Sequence, residues 1–343
     1  MNLPAYCAPW WLPGGHAQTI FPLARKRALP AYRRERWETP DGDFIELDWV
    51  APARAPQSGA RREHAPLLVL FHGLEGSSRS HYARSLMQAA AARGWQGVVP
   101  HFRGCGGTPN RLARAYHSGD SAEIDWILRR LRVRAGGAPV FAAGVSLGGN
   151  ALLKWLGERG GEAVGVADAA AAICAPLDLT ISGTALGEGF NRIYTRHFLA
   201  TLRVKALGKC AAHPGRFDDG RIAAARTLAE FDDAYTAPAH GFDGVADYWR
   251  RASARPWLAG IRVPTLVLNA RNDPFVPETA LPDPRNLPPA VRFECPRAGG
   301  HVGFLGGPWP GSQDWLCARV LAHFEHAHSA LTPTSVGTLT QSP

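Results

Sequence analysis

Short apolar runs alternate along this chain with longer segments in which apolar residues recur at helical spacing. Residues 67–71, 97–102, 140–144, 169–174, 265–269 and 291–295 read as strands, since brief apolar runs without polar alternation suit strands covered on both faces. Before them, 35–39 and 44–49 alternate around Pro40-Asp41-Gly42-Asp43, which predicts an antiparallel hairpin at the sheet edge. Segment 78–93 predicts a helix capped by Ser78, with Tyr82, Leu86 and Ala89 on one face. A stronger helix carries Ile124, Ile127, Leu128 and Leu131, with Asp120 or Ser121 as its cap, and 312–328 repeats the spacing with Cys317, Val320, Leu321 and Phe324. Together these elements predict an α/β fold: a mostly parallel central sheet with an antiparallel N-terminal edge hairpin and helices on both faces.

One gap in the alternation is too long for an ordinary crossover. Between the strand ending near Cys174 and the next, near Val263, lie about 85 residues of mainly helical pattern, including 191–209, 221–231 and 245–254. A helical lid inserted over 178–258 accounts for them, above the carboxyl edge where open α/β sheets bind ligands. The remainder of 1–328 reads as one domain. Segment 51–66, rich in Ala, Pro and Arg, is expected to be exposed, and the Ser/Thr/Pro tail 329–343 to be disordered.

Candidate chemistry gathers where strands end. Gly144-Val145-Ser146-Leu147-Gly148 follows a strand and precedes the helical run 150–156, the strand–turn–helix setting of a nucleophile elbow. Gly144 and Gly148 allow so tight a turn, and the helix N-terminus behind Ser146 favours developing negative charge. A serine hydroxyl needs a base and the base an orienting carboxylate, in this fold in the chain order Ser, acid, His. Asp273, after strand 265–269, and glycine-flanked His301, after strand 291–295, supply that order. Asp178, following strand 169–174, is the competing acid. Oxyanion donors are expected from the backbone N–H of Leu147 and of Leu74, where Gly73 lets the chain turn toward the site. Either water or an alcohol accepts the acyl group in this chemistry, so ester hydrolysis and ester synthesis share one site. A non-catalytic lipid-binding protein on the same fold would have no use for this order of Ser, Asp and His.

Composition narrows the alternatives. The 343 residues are 45% apolar and 20% charged, which suits a globular chain. Net charge is +9, yet only Lys26, Lys154, Lys205 and Lys209 among the 38 basic residues are lysines. The short runs at 25–27 and 129–134 lack the interleaved aromatics of a nucleic-acid groove, so no nucleic-acid partner is expected. Weak contact with anionic substrates or membrane surfaces remains for the arginines. Six scattered cysteines, without a CxxC pair, suit neither a zinc site nor a disulfide framework and fit a reducing compartment. His72, His101 and His117 have no metal-ligand spacing, and no metal or organic cofactor is expected. No signal peptide is apparent, and the apolar stretch 163–177 is shorter than the ~20 residues that cross a bilayer, so the expected location is cytoplasmic.

Several motifs in order carry a more specific likeness: Gly14-Gly15-His16-Ala17-Gln18-Thr19, His72-Gly73-Leu74-Glu75-Gly76-Ser77-Ser78, Phe102-Arg103-Gly104-Cys105-Gly106-Gly107, the elbow continued by Gly149-Asn150, and Phe231-Asp232-Asp233-Ala234-Tyr235-Thr236-Ala237-Pro238. Over roughly Pro9 to Phe324 the chain resembles the α/β-hydrolase superfamily, within it the YheT-like group that also holds animal α/β-hydrolase-domain lipases and yeast medium-chain ethyl ester synthase/esterases. That resemblance implies a serine hydrolase of short- to medium-chain acyl esters or lipids and puts the family's triad on Ser146, Asp273 and His301. The membrane-spanning N-terminal segment of the animal lipases is not carried over by the resemblance, and no constitutive membrane anchor is expected.

Overall fold

Strands whose side chains are buried on both faces need helices above and below, and the chain supplies them. The computed structural model describes residues 4–25, 27–53 and 65–331. Helix α1 (Gly15–Ala24) precedes the hairpin β1 (Arg33–Glu38) and β2 (Phe44–Val50). The alternating part follows as β3 (Leu67–Phe71), α2 (His81–Ala92), β4 (Gln96–Pro100), α3 (Ser121–Ala135), β5 (Val140–Val145), α4 (Leu147–Arg159) and β6 (Ala169–Ile173). Six further helices, α5 (Leu179–Leu186), α6 (Arg192–Ala212), α7 (Asp219–Ala224), α8 (Leu228–Phe231), α9 (Ala237–His240) and α10 (Val245–Ala252), lie before β7 (Thr265–Leu268), β8 (Val291–Glu294) and α11 (Asp314–Leu331).

The eight strands order as β1-β2-β4-β3-β5-β6-β7-β8, antiparallel from β1 to β4 and parallel thereafter. Alternate residues of each strand feed two cores. Val69, Phe71 and Ala142 meet Ile124 and Leu128 of α3 and Trp155 of α4 on one face. Leu68, Leu70 and Phe141 meet Met87 of α2 and Phe324 of α11 on the other, with the Phe141 and Phe324 rings stacked 5.0 Å apart. Full burial of a side chain of this size stabilises the fold by ~1.5–3 kcal/mol. The helices between β6 and β7 share a third apolar cluster, built around Leu199, Ile222 and Tyr235.

Several expectations need correction. Ser78 is not a helix cap: Ser80 is the N-cap residue of α2, and the buried Ser78 hydroxyl donates to Asp48 instead, at 2.5 Å. The pattern over 221–231 is two short helices, because Thr227 and Glu230 form a capping box that starts α8 afresh. Strand β4 stops at Pro100, short of 102. Residues 329–331 continue α11 rather than beginning a tail. Most of the loop expected over 51–66, and the tail from 332 onward, lie outside the described residues. Asp120 caps α3 as expected, its side chain accepting the Glu123 N–H.

Candidate active site

Where β5 runs into α4 the chain reverses so sharply that Ser146 sits at φ 52° and ψ −120°, a left-handed conformation that costs a non-glycine residue about 1–3 kcal/mol and persists only where its surroundings enforce it. Those surroundings are close-packed backbone. A Cβ on Gly148 would fall 2.5 Å from the carbonyl oxygens of Phe71 and His72, and one on Gly144 would fall 2.4 Å from that of Gly148. Only glycines let the elbow pass this near to β3. Ser146 N–H donates to Ile173 O at 2.8 Å, which ties the turn to β6.

Two loops converge on the serine. His301 Nε2 lies 2.9 Å from Ser146 Oγ, and His301 Nδ1 lies 2.8 Å from Asp273 Oδ2. The Asp273 side chain is fully buried and that of His301 nearly so. The other carboxylate oxygen, Oδ1, accepts the N–H groups of Phe275 and Val276 at 2.8 and 3.3 Å. With both oxygens engaged, the carboxylate is fixed in orientation. The structure therefore brings together Ser146, Asp273 and His301. It does not bring in Asp178, which caps α5 by accepting from Thr180 and Ile181 and lies 3.6 Å from Arg255.

Leu74 follows β3 and Leu147 is the first residue of α4. Among the described residues neither N–H has a protein acceptor. Two tyrosines that the sequence pattern did not single out for this purpose hold the Leu74 loop. Tyr82 OH accepts the Gly73 N–H at 2.8 Å, and Tyr116 OH accepts the Glu75 N–H at 2.9 Å while donating to Glu75 Oε1. Neighbouring N–H groups are thereby occupied while that of Leu74 stays free.

A second unanticipated contribution comes from α1. Gln18 Oε1 accepts from Gly299 N–H at 2.8 Å and from Asn272 Nδ2 at 3.0 Å, bridging the loops that carry His301 and Asp273. Thr19 Oγ1 accepts the His301 N–H at 2.8 Å. The motif Gly14 to Thr19 marked the segment in the sequence, but nothing in its spacing disclosed which loop it serves.

Beside the serine lies a cavity of about 510 Å³, walled mainly by apolar side chains of the β6–β7 helices, among them Leu186, Phe198, Leu202 and Phe231. Polar residues also line it, among them Glu75, Lys205 and Asp232. Burial pushes the Asp232 carboxyl up to about 6, although Thr236 and Trp249 donate to it at 2.7 and 2.8 Å. His72 is enclosed as well. Desolvation pushes it down to about 3, and the neutral ring donates from Nδ1 to Gly73 O while Nε2 accepts the Phe102 N–H. Cys174, Asp273 and His301 are the one described set of possible metal ligands lying within 4.8 Å of one another. Their atoms are already engaged: Cys174 Sγ accepts from Val302 N–H, and burial holds its thiol well above the usual range.

A family model described as the alpha/beta hydrolase fold matches residues 66–308. The chain belongs to that family. It is 42% identical to YheT of Escherichia coli (strain K12) over 89% of this chain and 88% of that protein. Phospholipase ABHD3 of Homo sapiens is 28% identical over 93% of this chain and 79% of its own length. Among solved structures, an esterase (EaEST) from Exiguobacterium antarcticum is similar in fold, with a TM-score of 0.52 and 16% identity over 86% of this chain and 99% of that one. The hydrolase is thus of esterase or lipase type. Among the described residues no helix is long and apolar enough to cross a membrane.

Proposed function

We propose that the protein hydrolyses carboxylic esters, of short- to medium-chain acyl groups or lipids, through a Ser146–His301–Asp273 triad. The observation that carries this reading is the unbroken pair of contacts, 2.9 and 2.8 Å, linking the hydroxyl, the imidazole and the buried carboxylate. His301 Nε2 takes the Ser146 proton as Oγ attacks the ester carbonyl. The Leu74 and Leu147 N–H groups receive the oxyanion, assisted by the positive end of α4. Asp273 holds the imidazole with Nδ1 toward itself and stabilises the imidazolium. His301 then passes the proton to the departing alcohol, leaving an acyl-enzyme. Water, deprotonated by the same imidazole, attacks the acyl carbonyl and releases the carboxylic acid with Ser146 restored. No step draws on a metal or an organic cofactor.

The helices between β6 and β7 form the lid in this reading, and their apolar cavity receives the acyl chain. The test is labelling by a fluorophosphonate together with turnover of p-nitrophenyl esters of graded chain length. Ser146→Ala should abolish both. A variant that keeps either rules out Ser146 as the nucleophile.

A further inference from the structure

Large apolar side chains left in water along one continuous track mark an interaction surface. The track begins at Trp10, 92% exposed, and at Trp309, 68% exposed. Trp309 joins Trp11 and Phe21 in an aromatic cluster with ring centroids 5.2 to 5.4 Å apart. It continues on α1, where His16, Ile20 and Leu23 fall at i, i+4 and i+7 and Leu23 is 61% exposed. His16 then meets Phe190 at 4.5 Å, carrying the track to the start of α6. There Ile193, His197, Ala200 and Val204 lie at helical spacing on one exposed face, and Val204, 70% exposed, also lines the cavity beside Ser146. The exposed stripe and the apolar cavity are one surface.

We infer that this stripe docks the protein on anionic phospholipid bilayers, with the cavity mouth turned toward the lipid. Charge and residue type select that occupant. Arg192 and Arg196 stand exposed beside Ile193, and among the described residues neither has an ion pair or hydrogen bond. Arg25 adds a further cation at the far end of α1, while of the nearby acids Asp314 is already paired with Arg27 and Glu188 stands alone. Exposed tryptophans at one end of the track and unpaired arginines at the other suit the headgroup layer, where an indole sits half in hydrocarbon and a guanidinium meets phosphate. Each such cation near an anionic surface adds to the attraction. A second copy of this chain would instead bring like charges together. The docking does not depend on the reaction assigned to Ser146.

The test is co-sedimentation of the full chain with vesicles of phosphatidylcholine alone and with one third phosphatidylglycerol, in parallel with Ser146→Ala to separate binding from turnover. Wild type and Ser146→Ala should both sediment with the anionic vesicles. Trp10→Ala combined with Trp309→Ala should bind at least about tenfold more weakly. Arg192→Glu combined with Arg196→Glu should lose the response to phosphatidylglycerol, while both double variants keep wild-type turnover of a soluble short-chain ester. Equal sedimentation of wild type and the tryptophan variant overturns the proposal, as does absence of any vesicle binding. So does a wild-type dimer that the tryptophan substitutions convert to monomer, which would make the stripe an interface between copies.

Discussion

The ring of Phe275 lies against the imidazole of His301, centroids 4.2 Å apart and planes tilted by 31°, while the Phe275 N–H donates to Asp273 Oδ1. One residue thus positions both the proposed base and its carboxylate. Phe275→Ala should lower kcat about threefold to tenfold, the worth of a stacked aromatic pair, with Phe275→Leu in between because it restores bulk without a flat face. Rates of fluorophosphonate labelling report the effect directly. Wild-type labelling by Phe275→Ala would mean that the stacking does not orient His301.

Thr19→Val keeps shape and removes the acceptor of the His301 N–H. A buried N–H left unpaired costs about 1–3 kcal/mol. The expected outcome is a lower Tm together with kcat reduced about tenfold, as a displaced base loses its near-attack geometry. Thr19→Ser, which retains the hydroxyl, should restore most of the activity; failure of that rescue would assign the loss to packing.

Gly148→Ala places a methyl within 2.5 Å of two backbone oxygens that have no room to retreat, since β3 is a central strand. Destabilisation of about 3 kcal/mol or more is expected, at the upper end of overpacking effects. Urea denaturation measures it. An unchanged midpoint would show that the elbow yields more easily than its contacts indicate.

His72 couples stability to acid. Its folded pKa of about 3 lies below the ordinary 6.5 because burial excludes the charged ring. Above pH 6.5 the ring is neutral folded or unfolded and contributes no slope. Between pH 6.5 and 3 the unfolded chain takes up a proton that the folded one refuses, so stability falls with falling pH by up to about 1.4 kcal/mol per unit. Glu123 and Asp232, raised to about 7 and about 6 chiefly by burial, act in the opposite sense. The comparison that isolates His72 is therefore wild type against His72→Gln, whose stability should decline less steeply between pH 6 and 4. Parallel slopes would contradict the assignment.

Strand and helix identities were legible because burial imposes its own periodicity: β3 and β5 are apolar throughout, and Ile124 to Leu131 repeat on one face of α3. The residues now adjacent at the site were legible for a different reason, since each stands just beyond a strand end. Less visible was α1, which opens on glycine, contains Pro22 and buries Gln18 and Thr19 rather than an apolar stripe. Those polar side chains are buried because their partners are loop N–H groups distant in sequence, and no local pattern carries that information. Ser78 misled for a similar reason. Its hydroxyl is drawn to the Asp48 carboxylate across the sheet, and Ser80 takes the cap position two residues later.

Gln18 touches the loops of Asp273 and His301 alike, from a helix that precedes the first strand. The stretch matched by the family model begins at residue 66. Cutting a fragment at that boundary would keep the serine, the histidine and the aspartate while discarding the clamp that joins two of them. A fragment bounded by that match therefore lacks one of the contacts that hold the proposed site together. Grafting this chemistry onto another scaffold would require transplanting the leading helix along with the elbow.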